Sequence, residues 1–148
     1  DDESYLEELK INQSPFAHII WTRVLSVARN PGFAEFVLER LEDAVLRSSG
    51  DRNLPNYIKS AGSLGLLSSR DLLFEILKSK EEFDHLERSL ATTALYNIDG
   101  VNYGKQFGTE YIIGDKMKRV REAIVSSDGN CRSVDEMLII DSSYRTTD

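Results

Sequence analysis

One cysteine, Cys131, is all that the 148 residues contain. An internal disulfide is therefore impossible, and the paired thiolates of most structural zinc sites are missing. A reducing compartment is the expected home, and cytoplasmic localisation follows. The chain begins at Asp1 and not at a methionine, which leaves open an upstream segment, a removed signal peptide among the alternatives. Long apolar runs are lacking too. Stretches such as Phe16 to Trp21 fall far short of the roughly 20 residues that a membrane-spanning helix needs, so no span is expected.

Chemistry-bearing motifs are equally scarce. His18 and His85 are the only histidines, and each falls within an expected helix beside apolar residues, with no triad or ligand spacing around it; packed structural roles are the favoured reading. Gly62-Ser63-Leu64-Gly65 lacks the strand, turn and lysine of a phosphate loop, and Asp99-Gly100-Val101-Asn102 lacks the alternating oxygen ligands of a calcium loop. The carboxylate pairs Glu7/Glu8, Glu42/Asp43 and Glu81/Glu82 point about 100° apart on a helix and read as solvated faces. Cys131 has no fixed basic partner that would activate it. Asn12-Gln13-Ser14 matches a glycosylation acceptor in form only and runs directly into Pro15. No metal, cofactor or catalytic residue is expected, and the chain is read as a non-enzyme.

What the sequence does have is ordinary globular composition, 41% hydrophobic and 29% charged, with a net charge of −7. A chain of this length buries about 68–70% of its unfolded surface, enough for one core. A field of negative sign repels phosphate backbones and speeds encounter with basic proteins. Nucleic acid is thus an unfavoured partner and a basic protein a favoured one.

Helical signals recur along the chain. Residues 1–13 are acidic, with Tyr5, Leu6, Leu9 and Ile11 spaced to lay an apolar edge on the body, either as a docked arm or as a frayed end. Ser14-Pro15 and Asn30-Pro31 pair a capping residue with a proline whose missing amide costs nothing at a helix start. The helix from Pro15 to Arg29 is apolar over much of its circumference and is expected to be central. Phe33, Phe36, Val37, Leu41, Ala44 and Val45 mark the next helix, ending near Gly50, with Glu35, Glu39, Glu42 and Asp43 on its opposite face. Leu54 to Gly65 carries Ser60, Gly62 and Ser63, small residues that permit close helix approach. Leu72 to Leu77 and the stripe Phe83, Leu86, Leu90, Ala94, Leu95, Ile98 give two more helices, the latter stopped at Asp99-Gly100. Val101 to Thr109, with Tyr103 and Phe107, lacks helical periodicity and is expected to be the longest interior loop. Ile113, Met117, Val120 and Ile124 mark a last long helix bearing Lys116, Lys118, Arg119 and Arg121. Val134 and Met137 to Ile140 form one more apolar element before a polar tail, 141–148.

Tyr57-Ile58-Lys59-Ser60-Ala61-Gly62-Ser63-Leu64-Gly65 and Leu90-Ala91-Thr92-Thr93-Ala94-Leu95-Tyr96-Asn97-Ile98 each resemble the second helix of a HEAT repeat. The resemblance covers Pro31 to Ile98, under half of the chain, with uneven spacing and without a clearly placed inter-helix arginine and aspartate. It implies two stacked helix pairs that present a surface to another macromolecule. The expected fold is all-α: one domain, 1–148, of six to seven helices in a short stack of antiparallel hairpins, HEAT-like or an irregular bundle. Pro15–Arg29 and Leu86–Ile98 are expected to contribute most to the core.

The expected function is non-catalytic protein binding, in the sharpest form an acidic inhibitor or immunity-type protein that neutralises a basic toxin or nuclease. The candidate contacts are Glu35, Glu39, Glu42, Asp43, Tyr103 and Phe107. A helical adaptor or scaffold is the alternative. A further one is an enzyme with a noncontiguous site, or an RNA binder using the anion-binding candidates Lys116, Lys118, Arg119 and Arg121, although cations near a helix end also complement its dipole.

Overall fold

Helix starts fall where the cap-and-proline pairs place them. The computed structural model describes residues 2–11, 14–109, 118, 119, 121 and 122. Seven α-helices lie among them: α1 Asp2–Ile11, α2 Pro15–Ala28, α3 Pro31–Leu46, α4 Leu54–Leu64, α5 Arg70–Lys78, α6 His85–Asp99 and α7 Gly104–Phe107, with a 3₁₀ turn Leu67–Ser69 before α5. The fold is all-α, with no strand among the described residues. Asn30 caps α3 by accepting from the Phe33 amide at 2.8 Å. Ser14 makes no side-chain cap, but its carbonyl accepts the His18 amide and the His18 Nδ1–H, both at 3.1 Å. A reciprocal capping box of Asp84 and Glu87 starts α6.

Successive helices pair as α1/α2, α3/α4 and α5/α6. α4 packs on both α2 and α6, while α3 also contacts α5. The core runs through the middle of this arrangement: Phe33, Val37 and Leu41 of α3, Tyr57, Ile58 and Ala61 of α4, Leu73, Ile76 and Leu77 of α5, and Ala91, Leu95 and Ile98 of α6 are fully buried or nearly so. The acidic N-terminal segment is docked, because Leu6 and Leu9 of α1 are buried in the same core.

Arginines close the helix ends. Free carbonyls in a last helical turn favour a cation that can donate to them. Arg29 donates to the Leu64 carbonyl at the end of α4 at 2.7 Å. The buried Arg88 donates through Nε to Leu77 of α5 at 3.0 Å and through its other nitrogen to Phe107 of α7 at 2.6 Å. Arg121 donates to Tyr96 of α6 at 3.2 Å.

Four expectations need correction. α2 is not a core helix: Phe16 is 75% exposed, Ile20 49% and Val27 78%, whereas His18, Thr22, Leu25 and Ser26 face inward. Thr22 and Ser26 donate their hydroxyls to the carbonyls of His18 and Thr22, so each is buried with its hydrogen bond made within the helix. Leu86, on the first turn of α6, is also exposed, at 58%, and does not belong to the core stripe. α3 stops at Leu46 with Arg47 as its C-cap; Gly50, at φ +67°, sits in the loop beyond. The Val101–Thr109 loop contains α7, one turn too short to show a period, stopped by Gly108 at φ +77°. Of the last expected helix, Lys118, Arg119, Arg121 and Glu122 are helical. Lys116, Cys131, the Val134 to Ile140 element and the 141–148 tail lie outside the described residues.

Candidate protein-binding surface

The exposed side of α2 is the main departure from an ordinary soluble helix. Phe16, Ile19, Ile20, Val24 and Val27 recur at helical spacing and all stand in solvent, with only Arg23 interrupting the stripe. Scattered exposed apolar side chains need no explanation, but a contiguous stripe of five on one helix makes this face the candidate contact surface. The inward side of the same helix carries the polar His18, Thr22 and Ser26 beside Leu25. Exposure of the stripe is thus a property of how α2 is seated and not of a helix with nothing to bury.

One edge of the stripe continues into a groove of about 530 Å³ with α4 as its floor and α2 and α6 as its walls. Ile19 and Val27 of α2 and Leu90 of α6 give it apolar sides. Floor and far wall can approach closely because of one glycine. A Cβ built at Gly62 would lie 2.8 Å from the Cα of Ala94, a distance that two packed carbons do not reach. The groove's basic residues are Arg23, Arg29 and Lys59, and none of its lining residues is acidic. Asn97, 7% exposed, lines the α6 wall, and its Oδ1 meets no donor among the described residues.

The sequence-derived candidates fall elsewhere. Glu35 and Glu39 stand exposed on α3 with Glu42 and Asp43 half-buried beside them, so the helix does gather all four on one side. Two cations share that side. Asp43 pairs with Arg47 at 2.6 Å and Arg40 at 3.5 Å, which offsets part of the negative field. Tyr103 and Phe107 turn inward onto Phe74, with ring centroids 4.6 and 6.4 Å away. The Tyr103 hydroxyl donates to Asp99 Oδ2 at 3.1 Å and accepts from Arg70 at 3.4 Å, while Arg70 Nε donates to the same carboxylate oxygen at 3.0 Å. Burial, with Asp99 adding, pushes the Tyr103 phenol above its ordinary pKa. These two aromatics pin the 101–109 segment to the body. Lys118 and Arg119 are exposed, whereas the Arg121 guanidinium is committed to the end of α6 beside Gly100.

His18 is fully buried against the edge of Tyr57, with ring centroids 6.0 Å apart, and His85 is exposed at the start of α6. No three His, Cys, Asp or Glu side chains among the described residues are grouped so as to hold a metal ion, and no helix among them is long and apolar enough to cross a membrane. The α2 surface was hidden from sequence reasoning because an apolar helix reads as a core helix. The spacing of His18, Thr22 and Ser26 along a single face was the available signal. Comparison of the chain with protein-family models, with curated proteins and with solved structures gives no match.

Proposed function

We propose that this chain is a non-catalytic protein-binding module that docks a partner protein on the apolar stripe of α2 and the adjoining α2/α4/α6 groove. The observation that carries this reading is the inverted seating of α2, which leaves Phe16, Ile19, Ile20, Val24 and Val27 outside while Thr22 and Ser26 go in. Covering such side chains contributes roughly 25 cal/mol per Å² of apolar area removed from water, and a few well-packed anchors dominate interface energies. The triple variant Phe16→Ser, Ile20→Ser, Val27→Ser tests it. Used as bait in the native source, wild type should retain a defined partner and the variant should lose it while melting at nearly the same temperature. Retention of the same partner by both would contradict the reading.

A second reading is favoured by the net charge of −7 and the exposed Glu35 and Glu39: an acidic inhibitor that meets a basic enzyme through α3. Reversal of Glu35 and Glu39 to lysine should then slow association at low salt without touching stability. An unchanged association rate would remove it.

A further inference from the structure

In a chain of net charge −7, the groove beside α2 has the opposite local character. Arg23, Arg29 and Lys59 border it, and no Asp or Glu lines it. Arg29 is occupied in part by the carbonyls that end α4. Arg23 and Lys59 are exposed and make no ion pair or hydrogen bond with the described residues. By contrast Arg40, Arg47, Arg70 and Lys78 each have a carboxylate within 4 Å. One uncommitted cation, Arg23, therefore stands within the apolar stripe and another, Lys59, on the α4 side of the groove, with Arg29 as a third basic residue beside them.

We propose that the partner segment seated here is an acidic amphipathic helix, its apolar side on Ile19, Ile20 and Val27 and its carboxylates on Arg23 and Lys59. This deepens the proposed docking function and rests on it. The occupant's charge follows from the complement of the rim: a basic segment would bring its cations against Arg23 and Lys59 with no anion to meet them. Its helicity follows from backbone accounting. A segment lying on an apolar stripe must satisfy its own amides and carbonyls, and no strand edge exists among the described residues to extend; a helix meets that demand within itself and matches an apolar groove between helices. The 14 residues of α2 give a wall of about 21 Å at 1.5 Å per residue, matched by a partner helix of roughly four turns.

The test is selection from a phage-displayed random library of roughly 16-residue peptides against the immobilised full chain. Recovered sequences should share apolar residues at three- and four-residue spacing and an excess of Asp and Glu. Synthetic copies should lose affinity by about tenfold or more on Arg23→Glu with Lys59→Glu, and should weaken as salt rises. Enrichment of lysine or arginine, or no charge bias, overturns the proposal. If those unbiased peptides still fail to bind the Ile20→Ser, Val27→Ser variant, the docking surface stands and only the charge assignment falls. Absence of any enriched peptide overturns it, and so does a chain dimer in sedimentation that the same two serines dissociate, which would place a second copy on the face.

Discussion

Gly62 of α4 and Ala94 of α6 approach so closely that a methyl group on the former would lie 2.8 Å from the Cα of the latter and 3.0 Å from its Cβ. This contact sets the spacing between groove floor and wall. Gly62→Val should therefore destabilise the fold by about 1–3 kcal/mol through overpacking, seen as a lower denaturation midpoint. Gly62→Ala sets a gain of about 1 kcal/mol in helix propensity against the same clash. A valine variant as stable as wild type would mean that the helices separate freely.

Leu95 and Ile20 form a matched pair for the seating of α2. Leu95 is fully buried and Ile20 half-exposed. Leu95→Ala should cost about 2–5 kcal/mol, and Ile20→Ala no more than about 1 kcal/mol. Chemical denaturation of both variants measures this directly. Equal large losses would place α2 in the core after all.

Arg88 holds two helix ends at once. Arg88→Met keeps much of the stem but leaves the Leu77 and Phe107 carbonyls without this donor, at about 1–3 kcal/mol for each group left buried and unpaired. Amide exchange should rise first over Gly104 to Thr109, whose turn is tied down by Arg88 and by the 2.7 Å contact between the Thr92 and Thr109 hydroxyls. Unchanged exchange in that segment would contradict the role.

Tyr57 gives the fold an alkaline limit. Its phenol is pushed well above the ordinary tyrosine value, first by burial and then by Asp51, with Arg40 opposing. A raised folded pKa means that the neutral form is favoured by folding. The associated stability is fully present below about pH 10, the unfolded value, and is lost as pH climbs toward the folded one. Melting temperatures from pH 8 to 11.5 should fall less steeply for Tyr57→Phe than for wild type. Parallel curves would show that Tyr57 does not contribute to the alkaline fall.

Much of the helical order was legible because its signals are local. Asn30-Pro31, Asp99-Gly100 and the stripe through Leu90, Ala94, Leu95 and Ile98 act within a turn or two of chain. Gly62 could be read as a close-approach residue for the same reason. The seating of α2 could not, since its apolar residues cover so much of the helix that periodicity alone does not say which arc meets α4. That depends on Thr22 and Ser26, whose hydroxyls bond to carbonyls of their own helix and so enter the interior with their hydrogen bonds already made. Arg88 and Arg121 were illegible as capping groups because the carbonyls they reach belong to other helices. Tyr103 was visible as an exception in a loop, but its pairing with Phe74, Arg70 and Asp99 depends on tertiary packing.

Site-specific photocrosslinking separates the α2 surface from the α3 carboxylates in one measurement. A photoreactive residue is placed at Val27, at Phe16 or at Glu39, all three solvent-exposed, and the chain is irradiated in its native source. We expect discrete adducts of one shared partner from positions 27 and 16 and none from position 39. An adduct from position 39 with none from 27 or 16 would contradict the α2 docking surface and move the contact to α3.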